Sequence, residues 1–557
     1  MSAPSSGAEA PARNGGRILV DALRGHGVDT IFGVPGESAL PVFDALHGGE
    51  AGIRFIVCRH EANAANMAEA DAKLRGEPGV CIVSRGPGAM HAAIAVHTAF
   101  QDSTPLVLIV GQVPRDHRGR EAFQEMDYTK VFGDTTKWSA EITDPARIPE
   151  MVSRAFSVAM SGRRGPVVLA VPEDVLSETC RVRDAGRYCA SEPAPLPDAV
   201  ESFQRMLSEA ARPVLVVGGS GWDDAACDRL AAFACANDLP VAAAFRAQDL
   251  LDNRSDHYVG DLSFGTNPVL ARRVMEADLI VAIGDRLGEV PTRGYTLIEA
   301  PVPKQALVHV FPGAEELGRV YQARLPIHAG PGPFMEAISL LPPVANPAWR
   351  DWRAQARRDY LAYSTPAGIN APLDLAKVVA HVREAVADDA IIANGAGNYA
   401  IWLHRYFRYA RRGTQLAPKS GAMGYGFPAA VAAKLRHPER PVIVFAGDGD
   451  FQMASPDFIT AARYKLPIVV VLVNNGLYGS IRMHQERHFP GRPSGTALEN
   501  PDFVAFAKAC GGYGELVERD ADFPHALQRA LASGIPAILE LRVDPRRLTP
   551  EMVVEPV

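Results

Sequence analysis

Short runs dominated by aliphatic residues recur along this chain in three groups. The first comprises 53–57, 79–83, 106–110 and 166–171. The second comprises 213–218, 279–284 and 306–310, and the third 390–393, 442–446, 468–473 and 537–543. Runs of this length without polar alternation read as strands buried on both faces of a parallel sheet. Several lead through Gly-, Pro- or Ser-rich turns into helix-like stretches, 61–74 among them. Strands that alternate with helices build doubly wound layers. The expected fold is therefore α/β, with three doubly wound domains and mainly parallel sheets.

Polar, Pro-rich separators at 191–198 and from 341 to about 372 place the boundaries. They give a disordered tail over 1–15, a first domain at 16–185, a middle domain at 186–345, a linker at 346–359 and a third domain at 360–557. A length of 557 residues suits three or four domains, each with its own core. The tail has no apolar centre, so it does not read as a signal peptide, and no run of about 18 apolar residues predicts a membrane span. A net charge of −7 and the lack of a basic stripe argue against nucleic-acid partners. The basic cluster Arg350, Arg353, Arg357 and Arg358 reads as one solvated helix face. The seven scattered cysteines form no CxxC pair, which argues against zinc or a disulfide framework and fits a reducing cytoplasm.

The chemistry concentrates in the third group. Gly447-Asp448-Gly449-Asp450 closes one apolar run, Asn474-Asn475 closes the next, and 455–464 reads as a helix between them. Both polar ends therefore lie at the carboxyl edge of a parallel sheet, where open α/β sheets bind ligands. A hard divalent cation takes a carboxylate, an amide oxygen and diphosphate oxygens. Asp448 and Asn475 supply the first two, and the Leu477 carbonyl is a third candidate. The glycines admit the diphosphate close to the backbone, and the following helix N-terminus favours its charge.

This GDG–NN pair, 27 residues apart from Asp448 to Asn475, resembles the thiamin-diphosphate (ThDP) motif of the pyruvate-oxidase and acetolactate-synthase-like family. Further matches run along nearly the whole chain and are thin only in the middle domain. They are Gly33-Val34-Pro35-Gly36, Arg59-His60-Glu61, Ser84-Arg85-Gly86-Pro87-Gly88, Phe123-Gln124-Glu125, Lys137, the segment 165–175, and the GAMGYGFP segment 421–428. The resemblance implies pyrimidine-binding, middle and diphosphate-binding domains in that order. It implies ThDP and Mg²⁺ as cofactors, bound by Gly36, Glu61, Gly395, Asn398, Gly421, Met423, Gly447, Asp448, Gly449, Asp450, Asn475, Gly476, Leu477 and Tyr478. Glu61 would sit in an apolar pocket and share a proton with the pyrimidine ring nitrogen. Met423 would wedge the two rings into a V, and the Gly421 carbonyl would accept from the 4′-amino group. The glycine-rich loop Asn394-Gly395-Ala396-Gly397-Asn398 would meet the diphosphate. Gln124, Phe123 and His484 would line the substrate side, with His60 and His91 nearby. The glutamate reaches the cofactor across a subunit boundary in this family, which implies a homodimer or homotetramer.

Departures from the acetolactate-synthase pattern fall in the substrate pocket. Val290 replaces an arginine, His484 a tryptophan, and Glu37 the second glycine of PGG. A pocket without that buried cation holds a second carboxylate less well. These changes favour decarboxylation and carboligation of another 2-oxo acid, with an aldehyde or second oxo acid as acceptor, over acetolactate synthesis. Alternatives are a lyase acting on a hydroxyketone or acyl-CoA, and an FAD-coupled oxidase of the pyruvate-oxidase type. FAD rests only on Gly218-Gly219-Ser220-Gly221 and Phe264-Gly265-Thr266, and a purely structural middle domain is favoured over it. A binding protein without activity fits poorly with Glu61, Asp448 and Asn475 together. No GxGxxG with a following acid supports an NAD enzyme.

Overall fold

The computed structural model describes residues 10–49, 51–369 and 371–555. The chain divides into two compact units between Ser191 and Glu192. Among the described residues, the first unit holds one six-stranded sheet and the second holds two. Every pairing within these three sheets is parallel.

In the first unit the sheet comprises β2 (Thr30–Gly33), β3 (Arg54–Val57), β4 (Gly79–Val83), β5 (Leu106–Gln112), β6 (Trp138–Glu141) and β7 (Pro166–Pro172), in the order β3-β2-β4-β5-β7-β6. β4, β5 and β7 are buried along their whole length, which is why they read as unbroken apolar runs. A short ribbon pairs β1 (Ala12–Asn14) with β8 (Thr179–Arg181) antiparallel. This corrects the expected tail: Ala12 to Asn14 are a strand, and Asn14 caps the helix Gly15–Gly25 by accepting from the Arg17 N–H. Positions 1–9 of that tail lie outside the described residues.

The middle sheet comprises β9 (Pro213–Val217), β10 (Val241–Ala243), β11 (Tyr258–Asp261), β12 (Leu279–Ile283), β13 (Ala306–Phe311) and β14 (Leu325–His328), ordered β11-β10-β9-β12-β13-β14. The third comprises β15 (Ile391–Asn394), β16 (Gln415–Leu416), β17 (Val442–Gly447), β18 (Ile468–Asn474), β19 (Tyr513–Val517) and β20 (Ala537–Arg542), ordered β16-β15-β17-β18-β20-β19. Counted within each sheet, the first and third share the order 2-1-3-4-6-5, whereas the middle sheet runs 3-2-1-4-5-6. In the first and third sheets the order turns between the first and third strands and again at the far edge, and in the middle sheet between the first and fourth; the crevice at the carboxyl ends beside such an interior reversal is where ligands bind.

The linker expected at 346–359 carries the helix read at its basic cluster, but it is not a free connector. Residues Arg350–Tyr363 form a helix anchored to the middle sheet's surroundings. The Trp349 indole donates to the Asn237 carbonyl at 2.9 Å. Arg357 is buried and donates to the carbonyls of Asn253 and Tyr258, and Arg353 pairs with Asp238. The basic cluster is thus partly an internal anchor rather than one solvated face. No described helix is long and apolar enough to cross a membrane.

Candidate active site

In the third sheet the reversal lies between β15 and β17. A cavity of about 280 Å³ opens there, lined by Ala396, Gly397, Asn398, Gly421, Met423, Gly447, Asp448, Gly449, Asp450, Asn475, Leu477 and Tyr478 among others. Three helices begin on it: Tyr399–Tyr406, Asp448–Ala454 and Gly479–His488. Their N-termini favour a polyanion. The helix expected over 455–464 in fact starts earlier. Asp448 is its first residue, and Ser455-Pro456-Asp457 forms a 3-10 turn before Phe458–Arg463. A proline inside this stretch breaks the ladder.

Asp448 is buried. Its Oδ2 accepts from the Gly476 N–H at 2.8 Å and from the Asn500 amide at 2.7 Å. Burial pushes its carboxyl above the usual range, against the hydrogen bonds from Asn500, Gly449 and Gly476. The Asn475 amide oxygen accepts from the Leu477 N–H at 3.1 Å. The loop after β18 is held open by a return segment, with Tyr478 N–H donating to Thr496 and Leu498 N–H to Gly476. A buried carboxylate beside amide and carbonyl oxygens, at converging helix N-termini, fits a hard divalent cation with a diphosphate. The glycines keep this cradle clear or closely packed. A Cβ on Gly449 would lie 2.7 Å from Tyr478, and one on Gly395 only 2.3 Å from Asp450 Oδ1.

Asp450 lines the cavity, but its carboxylate braces the loops around it. Oδ2 accepts from Tyr399 Oη at 2.6 Å and Oδ1 from the Gly424 N–H at 2.7 Å. Burial raises its pKa to about 6. Tyr399 Oη also accepts from the Gly395 N–H at 3.0 Å, and Arg246, in the turn after β10, donates to the Gly395 and Pro418 carbonyls. The Asn398 amide donates to the Gly479 carbonyl at 3.3 Å. Asn500 and Tyr399 were not expected from sequence. The C-terminal segment, whose role the sequence leaves open, forms part of the wall: Arg547 and Leu548 line the cavity, and Leu548 packs with Met483 and Val554. His484 is not among the lining residues. It lies exposed along the helix Gly479–His488, with its ring facing His488. Val290 lies half-buried in a turn of the middle sheet's domain.

The first unit has its own reversal, between β2 and β4. The turns after these strands press together, because a Cβ on Gly36 would sit 2.5 Å from the Ser84 side chain. Glu61 opens the helix Glu61–Arg75 that follows β3. Its Oε2 meets His91 Nδ1 at 2.8 Å, and the His60 and His91 rings stack with centroids 4.5 Å apart. The loop carrying Phe123 and Gln124 joins this end of the sheet, since the Gly86 N–H donates to the Gln124 carbonyl at 3.1 Å. Gln124 has φ 64, and Phe123 is 73% exposed. Lys137 instead bonds the Ser161 carbonyl and packs on Gly165, as a structural residue does.

In the middle sheet the glycines at the reversal serve packing. A Cβ on Gly219 would meet the Gly284 carbonyl at 1.6 Å, and Trp222 donates to the Gly218 carbonyl.

Comparison with known proteins adds three family profiles. The thiamine pyrophosphate enzyme N-terminal TPP-binding domain matches residues 13–131, the central domain 200–338 and the C-terminal TPP-binding domain 395–541. The chain is 34% identical to the acetolactate synthase large subunit of Parasynechococcus marenigrum, over 95% of this chain and 87% of that one. It is 31% identical to the acetolactate synthase isozyme 2 large subunit of Escherichia coli, over 95% and 96% of the two chains. With the acetolactate synthase large subunit of Lactococcus lactis it shares 32%, over 89% and 87%.

Proposed function

The chain belongs to the ThDP-dependent enzymes of the acetolactate-synthase-like family, and on that premise we propose that it decarboxylates a 2-oxo acid and ligates the product to a second carbonyl compound. The observation that carries this reading is the cavity beside β15 and β17, lined by Asp448 and Asn475 and by the first residues of three helices. The cofactor supplies a thiazolium carbon that attacks a carbonyl and an electron sink for the bond that breaks.

The protein's part is to hold, orient and shelter. Asp448, Asn475 and the Leu477 carbonyl would hold Mg²⁺, and the N–H groups of Gly397 and Asn398 would meet the diphosphate, those of Gly395 and Ala396 being turned to Tyr399 and Asp450. Met423 would pack against the cofactor, and the Gly421 carbonyl would accept from its amino group. Glu61 would hold or release a proton at its carboxyl toward the pyrimidine nitrogen. Gln124 and Phe123 border the substrate. The middle domain is structural, with its glycines used for loop packing. Without an arginine at Val290, the preferred donor or acceptor differs from those of acetolactate synthesis.

A homodimer or homotetramer completes the site at a subunit interface. Exposed apolar side chains support this on each unit: Met90, Ile94 and Phe123 on the first, and Met453, Ile459 and Ile481 on the second. None of the seven cysteines forms a disulfide, in keeping with a cytoplasmic enzyme.

The test is product analysis by proton NMR after incubation with ThDP, Mg²⁺ and a panel of 2-oxo acids, with and without aldehydes. Turnover of a 2-oxo acid to an aldehyde or hydroxyketone, lost in Glu61→Gln, is expected. Pyruvate converted chiefly to acetolactate would overturn the altered specificity, and no turnover of any oxo acid would overturn the donor class.

A further inference from the structure

Glu61 does not act alone at the first sheet. Its carboxylate is largely sheltered, with the side chain 16% exposed, whereas the His91 imidazole bonded to it is 53% exposed. The imidazole therefore spans from the carboxylate to the outside of this unit. His91 and Gly88 are three apart on the helix Gly86–Asp102 and share a face. A Cβ at Gly88 would touch Glu61 Oε1 at 3.5 Å, so glycine leaves that oxygen open while His91 holds Oε2.

The neighbouring ring fixes part of the proton arrangement. His60 Nδ1 accepts from the Ala62 N–H at 3.1 Å, so it carries no proton and the neutral ring has its hydrogen on Nε2. A neutral ring stacked on His91 can lie there whether His91 is neutral or charged, without like-charge repulsion. A ligand-type atom from each of His60, Glu61 and His91 lies within 4.8 Å of the others, but both Nδ1 atoms are already engaged. The group is a hydrogen-bonded chain that ends on the carboxylate.

We propose that His91 is the positioning and proton-relay partner of Glu61. The inference rests on the role given to Glu61 above. His91 Nδ1–H donates to Oε2 and turns Oε1 toward the pyrimidine nitrogen. When Glu61 gives the Oε1 proton to that nitrogen, His91 passes its Nδ1 proton to Oε2 and takes one from water at Nε2. Solvent loses one proton and the ring nitrogen gains one, while Glu61 and His91 each end with the proton count they began with. The reverse sequence returns it. An amide at position 91 can hold Oε2 but cannot relay, and a methyl group can do neither.

The experiment compares wild type, His91→Gln, His91→Ala and Glu61→Gln as full-length proteins with ThDP and Mg²⁺. It measures exchange of the cofactor's C2 hydrogen in D₂O by acid quench and NMR, alongside ThDP affinity. Both His91 variants are expected to exchange about 10²-fold more slowly, the scale of a lost acid–base group. Their ThDP affinity is expected within about twofold of wild type, because His91 touches the cofactor only through Glu61. Added imidazole should restore exchange in His91→Ala. A second readout needs no cofactor: ¹⁵N NMR should show His91 as the Nδ1–H tautomer in wild type and altered in Glu61→Gln. Wild-type exchange in both His91 variants, or slow exchange that imidazole does not restore, overturns the relay. If Glu61→Gln itself exchanges at the wild-type rate, the fault lies in the role of Glu61; if that variant is slow and the His91 variants are normal, only the relay fails.

Discussion

Asn500 donates to Asp448 at 2.7 Å and to the Asn474 side chain at 3.0 Å, joining the two halves of the GDG–NN motif from outside it. Partners that orient a metal ligand commonly control affinity by ten- to a hundredfold. Asn500→Ala is therefore expected to weaken Mg²⁺-dependent ThDP binding about tenfold, read by calorimetry, and unchanged affinity would contradict this. Tyr399 plays the matching part for Asp450. Tyr399→Phe removes the donor to a buried carboxylate and the acceptor for the Gly395 N–H. It should cost about 2 kcal/mol in denaturant unfolding. Asp448 and Asn475 were legible in the sequence because each ends an apolar strand at a fixed spacing. Asn500 was not: it lies 52 residues from Asp448, in a loop whose return depends on the bridge between Leu477 and Ala497. His484 was placed by motif spacing alone, and the helix carrying it turns that side chain to the surface.

Most interior strands announced themselves and most edge strands did not, although the edge strand β3 was read from the run 53–57 and the interior β2 and β10 were not among the runs. β4 begins and ends where the apolar run 79–83 does, since both its faces are covered. β6, half-buried along its length, and β16, two residues long, have no such run to read. The helix face read at Arg350, Arg353, Arg357 and Arg358 is there, but its solvation was over-read because four arginines look exposed, whereas Arg357 donates to buried carbonyls. The short helix Tyr399–Tyr406 joins the cofactor loops to the middle sheet. Its first residue holds Asp450, and near its other end His404 faces Phe245 and Phe264. Burial, with Arg246 nearby, pushes the His404 pKa down to about 3. The unfolded chain then binds a proton below about 6.5 that the folded chain refuses, so this group favours folding above 6.5 and that contribution is lost as pH falls toward 3. The slope is about 1.4 kcal/mol per pH unit within that window. His404→Phe should flatten the acid limb of stability measured in urea at stepped pH, and an unchanged limb would contradict the assignment.

At the scale of the molecule, the first and third sheets share one strand order, and each places its candidate residues at the same kind of crevice. Strand order depends on long-range pairing that no local pattern encodes, so this shared order was not legible in the sequence. With Glu61 on one unit and Asp448 on the other, the proposed subunit-shared site predicts complementation. Glu61→Gln and Asp448→Asn chains, each inactive alone, should regain activity when unfolded and refolded together, and no recovery would argue for sites contained in one chain. The central claim is that the β15–β17 crevice holds ThDP through a divalent cation on Asp448. Calorimetric titration of ThDP into the wild-type protein, with Mg²⁺ and then with a chelator, tests it most directly beside Asp448→Ala. The account predicts tight binding only in wild type with Mg²⁺. Equal affinity in the chelator and in Asp448→Ala would contradict it.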